Sequence, residues 1–423
     1  MKVLCTGDIH IGRRPSHAPR DTSRSSSGRA FEQLCDFAIR SQVDIVAISG
    51  DIIDKGNRFF EASAPLENGL LRLAEQGIDT VAVAGNHDFD ALPRFVDAVR
   101  PPRFHLLGRG GAWESVTIER AQRGAVRFDG WSFPAEHIRT NPLHDYNLLP
   151  APFPTIGLLH ADFEIGDSVY APIRGIDLDI GHLSGWILGH IHRPGFVKWT
   201  RPWAIYPGSP QGLDPGEHGA HGPWMLDLSE TTPSPLHVHL AAMRYERIPF
   251  DVTDVTTDTE FQARLMLAVR AHVAAVRAGA INPVDHLVFR LSGIGRTAQR
   301  RVLEKCAADL LAQDQIIDLD GCTVAIESID LSTAGPVYDL SEISRSVGPP
   351  GVLARMLIAI ESGDDTDETS ELMRLATAKT DQVASQPVYA SLGAGVDHAN
   401  LRAMLLRQGY RALDSLLAQK EQP

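Results

Sequence analysis

Short apolar runs recur along the first part of the chain, and glycine followed by polar residues ends the first three of them. These runs lie at residues 2–6, 43–49 and 80–84, and helical spacing of apolar residues predicts helices between them, at about 30–41 and 63–76. Strands that alternate with helices predict an α/β fold. Because ligands in open α/β sheets bind outside the carboxyl ends of the strands, the polar residues after each run are candidate site residues.

The next part of the chain predicts a second layer of sheet. Apolar runs at 155–159 and 185–188 predict two further strands, and each is followed by histidine. The segment 100–151 is less regular and rich in Gly, Pro and aromatic residues, so we expect it to supply strands and loops of that layer.

From residue 245 the pattern changes to that of a small separate α/β domain. Strands are predicted at 247–252, 284–292 and 322–331, and helices at about 259–278 and 297–313. Beyond residue 335 the chain is polar and helical. This order predicts three domains, at 1–244, 245–334 and 335–423.

Carboxylate, imidazole and amide side chains stand at five of the predicted strand ends. Asp8 and His10 are spaced by two residues, so in an extended backbone they point to the same side and form half of a divalent-metal site. A lone histidine is more often structural, but so many matching strand ends favour a metal centre. The seven candidate ligands are Asp8, His10, Asp51, Asn86, His160, His190 and His192.

The tetrapeptide Gly85-Asn86-His87-Asp88 allows two interpretations. Gly, Asn and Asp are favoured in turns, so the sequence is also typical of a simple turn. Alternatively Asn86 offers a metal its amide oxygen, His87 donates a proton, and Asp88 holds the imidazole in one tautomer.

Charge and composition limit the classes of function. A net charge of −13 argues against a protein that coats nucleic acid, but a nuclease stays compatible because metal sites need carboxylates and basic patches can be local. One basic loop follows His10 and carries Arg13, Arg14, Arg20 and Arg24, as candidate DNA-binding residues or as a solvated loop without a partner. The chain contains no apolar run of membrane-spanning length and four widely spaced cysteines, so we expect a cytoplasmic protein.

The order Asp-x-His, Gly-Asp-x-x-Asp, Gly-Asn-His-Asp, His, Gly-His-x-His resembles the calcineurin-like metallophosphoesterases. The resemblance implies a two-layered β-sheet sandwich flanked by helices. It also implies two divalent ions that share Asp51, because a carboxylate can bridge two metals. One ion would take Asp8, His10, Asp51 and His192, and the other Asp51, Asn86, His160 and His190.

The same resemblance implies hydrolysis of a phosphodiester by a hydroxide held between the ions. It assigns His87 as the acid that helps the leaving oxygen depart and Asp88 as the residue that orients it, while Asp54 supports positioning or proton transfer. Ligand types allow manganese, iron or zinc.

Further segments resemble the SbcD-type DNA repair exonucleases, including the YhaO-like branch. They are Leu188 to Pro194, Ile205 to Gly212, Gly216 to Gly219, and Tyr170-Ala-Pro. This resemblance implies Mn²⁺, a DNA substrate, an α/β capping domain at 245–334 and an SMC-like ATPase partner docked through C-terminal helices. A homodimer is compatible with it.

Two other functions stay open at this point. The first is a phosphodiesterase or phosphatase for a small nucleotide, with the C-terminal half as an oligomerisation module, and the negative net charge favours it slightly. The second is a non-catalytic scaffold, which degraded ligand positions would indicate. None of the seven positions is degraded.

Overall fold

Three β-sheets and a set of helices make up the part of the chain that the structure, a computed structural model, describes. The described residues are 1–18, 25–57, 60–198, 200–228, 235–295, 297, 299–313, 316–331, 339–364, 366–384 and 398–420. The chain divides into two compact units. The first comprises Met1–Glu246, Ala275–Val288 and Asp318–Val324, and the second comprises Arg247–Ala274, Phe289–Ile317 and Ala325–Pro423. The domain boundaries predicted at 244 and 334 stay predictions.

The first sheet has a parallel centre. Its strands, in spatial order, are β12 (Leu236–His237), β11 (Trp224–Asp227), β1 (Lys2–Thr6), β2 (Ile45–Ile48), β3 (Asp79–Ala82) and β4 (Phe104–Leu106). Strands β1 to β4 are parallel, and β11 and β12 each pair antiparallel. The connections between the parallel strands contain α1 (Ser27–Arg40), α2 (Phe60–Glu75) and α3 (Ala91–Val99). This is the predicted alternation of strand and helix.

The second sheet also has parallel central strands. In spatial order it contains β5 (Glu114–Arg120), β6 (Gly124–Trp131), β7 (Thr155–His160), β8 (Gly185–Gly189), β10 (Trp203–Tyr206) and β9 (Gly195–Lys198). Strands β6, β7, β8 and β10 are parallel, while β5 and β9 pair antiparallel at the edges. Short 3-10 helices lie at Lys55–Asn57, Arg109–Gly111, Pro142–Asp145 and Gly175–Leu178.

The two sheets pack against each other as the predicted sandwich. Cys5, Ala47 and Val81 lie side by side in β1, β2 and β3, and they share one apolar core with Phe128 and Leu158 of the second sheet. Their alternate neighbours belong instead to a core that includes residues of α1, α2 and α3. Both faces of the first sheet are therefore buried, which explains why its strands read as continuous apolar runs.

One assignment within this sandwich was wrong. The segment 100–151 was predicted to build the second layer, but its first strand, β4, extends the first sheet beside β3. Only three residues long and partly exposed at Phe104 and His105, β4 has no apolar run that would have identified it. Strands β5 and β6 do join the second sheet.

A third sheet and further helices follow. The sheet order is β13 (Met243–Asp251), β14 (His286–Ile294), β16 (Cys322–Asp330) and β15 (Ile317–Leu319), and the intervening helices are α4 (Asp258–Gly279) and α5 (Arg300–Ala312). The C-terminal helices are α6 (Leu340–Ser344), α7 (Pro349–Ser362), α8 (Asp367–Ala384) and α9 (His398–Lys420). Leu357 of α7 and Leu413 of α9 belong to a small core of their own. Among the described residues, no helix has the length and apolar character needed to span a membrane.

Candidate metal centre

The carboxyl ends of five strands, three from the first sheet and two from the second, meet at one place. The loop after β1 runs alongside the loop after β2. The Asp8 N–H donates to the Gly50 carbonyl and the His10 N–H donates to the Asp51 carbonyl, both at 3.0 Å. The second sheet is attached by the His190 N–H, which donates to Asp8 Oδ1 at 3.0 Å. The predicted strand ends therefore converge.

The side chains at these strand ends bring their donor atoms close together. His10 Nε2 lies 3.1 Å from His192 Nε2, and His160 Nε2 lies 3.0 Å from Asn86 Oδ1. Asp51 Oδ2 lies between the two pairs, 3.4 Å from His160 Nε2 and 3.7 Å from His10 Nε2.

Among the described residues, three overlapping groups place their ligand atoms within 4.8 Å of one another. They are Asp8 with His10 and His192, Asp8 with Asp51 and His160, and His10 with Asp51 and His87. Asp8, His10 and Asp51 each belong to two of these groups, so the groups overlap in one continuous cluster. His190 belongs to none of them.

The backbone at this centre adopts an unusual conformation. Asp8, His10, Asp51 and His190 have φ angles of 50°, 49°, 50° and 99°, in a region that residues other than glycine rarely occupy. Such conformations persist where the surrounding structure enforces them, and they concentrate at functional sites. Four candidate ligands in this region indicate that the backbone is bent to direct their side chains.

Two glycines are needed here for close approach. A Cβ at Gly85 would lie 2.2 Å from Asp51 Oδ1, and one at Gly189 would lie 1.9 Å from the Ser49 carbonyl oxygen and 2.7 Å from His160 Nδ1. Any larger residue would push the loops apart. The glycines that end the strands therefore also bring the site residues together.

An oxygen atom lies behind each of three histidines, as a hydrogen-bond partner of His160 and His192 and as an ion-pair partner of His10. The Nδ1 atoms of His160, His192 and His10 lie 3.0 Å from the Ser49 carbonyl oxygen, 2.7 Å from Glu217 Oε1 and 3.3 Å from Asp54 Oδ1. An oxygen partner at Nδ1 leaves Nε2 free to face the centre. Histidines that bind metals are commonly oriented in this way by carboxylates and backbone carbonyls.

His190 is placed differently from the other candidate ligands. Its Nε2 lies 3.2 Å from Asp162 Oδ1, and its ring lies 4.8 Å from the ring of Tyr170 and 5.2 Å from that of His160. The structure thus brings His190 to the edge of the centre through its backbone N–H and its ring.

Asp54, not Asp88, is the carboxylate beside His87. His87 Nδ1 lies 3.4 Å from Asp54 Oδ1, and 31% of the His87 side chain is exposed. Asp88 was predicted to orient His87, but its Oδ2 accepts the N–H groups of Ile52 and Ile53, and its Oδ1 accepts that of Gly85. Asp88 therefore ties the loops after β2 and β3 together, and the predicted contact with the His87 ring is wrong.

Charge within the site favours an ion pair between Asp54 and His87. The contact with Asp54, followed by the charges of Asp51, Asp54 and Asp88, outweighs burial and raises the pKa of His87. Burial opposes ionisation of Asp54, but the neighbouring His10 and His87 rings hold its pKa below the usual range. Burial and then the Asp51 charge raise the pKa of Asp88 to about 7.

The basic loop is described only in part. The Arg13 N–H donates to the His10 carbonyl at 2.9 Å, and its guanidinium lies 3.6 Å from Asp214. Arg14 is exposed, while Arg20 and Arg24 lie outside the described residues. The described part of the loop therefore starts beside the candidate ligand His10, and Asp214 partly neutralises the charge of Arg13.

Sequence reasoning missed three partners of the histidines: Ser49, Asp162 and Glu217. Asp162 follows His160 at spacing two, the same signal that identified Asp8 with His10, and it was available. Glu217 lies 25 residues beyond His192, in a loop of turn residues, and nothing in its local sequence predicts the contact. The Ser49 contact is made by a backbone carbonyl and leaves no sequence signal.

Comparison with known proteins agrees with this architecture. The family model of the calcineurin-like phosphoesterases matches residues 1–194. The metallophosphoesterase YhaO of Bacillus subtilis is 27% identical over 56% of this chain and 58% of its own length. The DNA double-strand break repair protein Mre11 of Aeropyrum pernix is 25% identical over 68% of this chain and 73% of its own length. A subunit of the nuclease SbcCD of Bacillus subtilis is 24% identical over 52% of this chain and 64% of its own length.

The chain thus matches just over half of the length of YhaO. The family binds two divalent metal ions and hydrolyses phosphoesters, which agrees with the groups of carboxylates and histidines at the strand ends. The chain contains a calcineurin-like metallophosphoesterase domain that includes residues 1–194, with YhaO, Mre11 and SbcD among its homologues.

Proposed function

We propose that the protein is a metal-dependent DNA nuclease that acts in DNA repair, as an exonuclease that uses two Mn²⁺ ions. The observation that carries the proposal is a chain of four contacts of 3.0–3.7 Å between ligand atoms at the strand ends, which links His192, His10, Asp51, His160 and Asn86. The choice of DNA is supported by two relatives, one named as a DNA double-strand break repair protein and one as a nuclease subunit.

The donor set fits divalent ions. His10 Nε2 and His192 Nε2 face each other at 3.1 Å, and each ring has a carboxylate near its Nδ1. Two imidazole lone pairs at that distance repel unless a proton or a cation lies between them. Nitrogen and oxygen donors without sulfur suit manganese, iron or zinc.

Each ion has its own proposed set of ligands. Asp8, His10, Asp51 and His192 would hold one, and Asp51, Asn86, His160 and His190 the other. Bound ions supply positive charge that stabilises the phosphoryl group in the transition state.

His87 is the proposed acid for the leaving oxygen. Its side chain is partly exposed beside the buried centre, and its ring lies 4.6 Å from that of His10. The raised pKa favours the protonated form, which can donate a proton to a departing alkoxide. Asp54 lies beside the ring and balances its charge.

Glu217→Ala is expected to weaken Mn²⁺ binding by about 10–100-fold. The Glu217 carboxylate holds His192 at 2.7 Å and accepts the Leu213 N–H at 2.9 Å, so its removal leaves the imidazole without a fixed orientation. A chelator-competition titration measures the affinity. The exposed Glu75 at the end of α2 gives the control Glu75→Ala, and equal affinities in the two variants would remove Glu217 from the metal site.

Replacing Arg13, Arg14, Arg20 and Arg24 together by alanine is expected to weaken DNA binding and flatten its salt dependence. Each lost phosphate contact lowers the slope of log affinity against log salt by about 0.9 on duplex DNA. Binding titrations at several salt concentrations measure this slope. Arg40→Ala, in an exposed residue at the end of α1, is the control. An unchanged slope would mean that the loop binds no DNA.

One assay separates this proposal from its alternative. Purified protein with Mn²⁺ is offered single-stranded DNA, duplex DNA, cyclic nucleotides and the generic diester bis(p-nitrophenyl) phosphate. DNA cleavage at a rate well above that of the cyclic nucleotides supports the proposal. Hydrolysis of nucleotides without cleavage of any DNA would favour the small-nucleotide phosphodiesterase.

An SMC-like ATPase is the proposed partner, and helices α7 to α9 are the proposed docking segment. Support comes from the relative named as a subunit of the nuclease SbcCD. The test is co-purification of the tagged full chain with the ATPase encoded nearest to it, compared with a chain that ends at residue 334.

A further inference from the structure

A row of aromatic rings leads away from the metal centre. The ring of Tyr170 lies 4.8 Å from that of His190 and 5.7 Å from that of His137. The His137 side chain is 53% exposed. The row therefore runs from a candidate ligand to the protein surface within three rings.

Backbone pairing fixes this row and extends it to an arginine. The Ile138 N–H donates to the Val169 carbonyl and the Ala171 N–H to the Ile138 carbonyl, both at 2.7 Å. Ile138 packs into the core on the outer face of the second sheet. Because side chains alternate along an extended segment, His137 and Arg139 lie on the side opposite to Ile138.

Arg139 lines a pocket with a volume of about 530 Å³. Ile165, Pro172 and Ile173 supply an apolar wall, and Arg174 is paired with Asp177. The guanidinium of Arg139 is exposed and makes no ion pair or hydrogen bond with the described residues. Glu164 also lines the pocket, and its carboxylate accepts the Gly175 N–H at 2.7 Å. The pocket thus combines an apolar surface with the guanidinium of Arg139, which has no ion-pair partner among the described residues.

We propose that this cleft, defined by His137, Arg139, Tyr170 and the pocket, binds an unpaired nucleotide next to the scissile phosphodiester. The inference rests on the proposed nuclease function. Successive bases of single-stranded nucleic acid stack on aromatic side chains, while cationic groups hold the phosphates. A pocket of this size accepts a ligand as large as a nucleotide.

The arrangement favours single strands over duplex. In a duplex the faces of each base are covered by its neighbours, so a base cannot also lie against Tyr170 or His137 without leaving the stack. A strand that enters as single-stranded DNA meets the rings with its bases already accessible. The cleft would then select the form of DNA that reaches the metal centre.

Binding of a fluorescent oligothymidylate, followed by anisotropy in EDTA, tests the cleft without metal. Tyr170→Leu is expected to lower the affinity about tenfold and Arg139→Gln several-fold. Tyr170→Phe, which keeps the ring, is expected to recover most of the loss. Arg40→Gln is the control for a general change of charge, since Arg40 is exposed at the end of α1. Duplex binding should fall less than single-strand binding.

A second measurement uses the protein loaded with Mn²⁺. The ratio of kcat/KM for the oligothymidylate to kcat/KM for bis(p-nitrophenyl) phosphate is expected to fall about tenfold in Tyr170→Leu. Wild-type affinity and an unchanged ratio in Tyr170→Leu and Arg139→Gln would overturn the cleft, while DNA cleavage by the wild type would leave the nuclease proposal standing. A wild-type protein that hydrolyses the small diester but no DNA would overturn both.

Discussion

His87→Ala is expected to reduce DNA hydrolysis by about 10²–10⁴-fold without loss of bound metal. His87 lies beside the centre with its side chain 31% exposed, and the nearby Asp54 carboxylate favours its protonated form. Without this acid the leaving alkoxide departs unprotonated. Steady-state rates on DNA and metal analysis of the same preparation measure the two effects.

The nature of the leaving group sharpens this test. p-Nitrophenolate is stable as an anion and needs little help from an acid, so His87→Ala should slow bis(p-nitrophenyl) phosphate hydrolysis far less than DNA hydrolysis. In the wild type, kcat/KM on DNA should fall on the alkaline side as His87 loses its proton, and the variant should lack this fall. Equal losses on both substrates would contradict the role of His87 as the acid.

His105→Ala is the matched control for this variant. The exposed fraction of the His105 side chain is the same 31%, and its Nε2 lies 2.9 Å from an Asp79 carboxylate oxygen. This variant loses an imidazole beside a carboxylate in the first sheet but outside the metal centre. DNA hydrolysis at the wild-type rate is therefore expected.

The parallel strands and their polar ends were predictable from the sequence. The apolar runs that became β1, β2 and β3 are short, rich in β-branched residues and ended by glycine, so they identify buried strands and the points where the chain turns. Asp8, Asp51 and Asn86 stand directly after these runs in the sequence. Because a parallel sheet places the carboxyl ends of its strands at one edge, these residues could be expected to meet there. Local sequence encodes this part of the site.

Contacts between loops were less predictable. Asp88 is adjacent to His87 in sequence, which suggested that it orients the ring, but the turn after Gly85 directs its carboxylate toward the N–H groups of Ile52 and Ile53. Asp54 reaches His87 instead, from the loop after β2. Which carboxylate reaches which ring depends on the path of two loops and on the positive φ angle of Asp51, and neither can be read from residue types.

The short polar residues of the site have two functions, because they tolerate the strained backbone conformation as well as offering oxygen ligands. Asp and Asn tolerate the left-handed region better than most residues, and both are also oxygen ligands for divalent ions. At Asp8 and Asp51, with φ angles of 50°, one residue type meets both needs. A glycine would allow the turn but supply no ligand, and a bulkier ligand would resist the turn.

Asp51→Asn is expected to lower the metal content from two ions to fewer than one and DNA hydrolysis by about 10³-fold or more. Asp51 is buried, and its Oδ1 already accepts the His87 N–H at 2.9 Å, which leaves Oδ2 to face His10 and His160. Asparagine keeps the first contact through its amide oxygen but places an N–H₂ group, which cannot bind a cation, at the second position.

The control is Asp129→Asn, a buried carboxylate on β6 that pairs with Arg127 and Tyr146 away from the centre. This variant should keep two ions. Thermal unfolding of the metal-free proteins shows whether each variant is folded. Burial opposes ionisation of Asp51, but the His160, His10 and His87 rings hold its pKa below the usual value, so its negative charge stabilises the metal-free fold and Asp51→Asn is expected to unfold at a slightly lower temperature than the wild type. Two ions bound with wild-type affinity in Asp51→Asn would exclude Asp51 as the shared ligand.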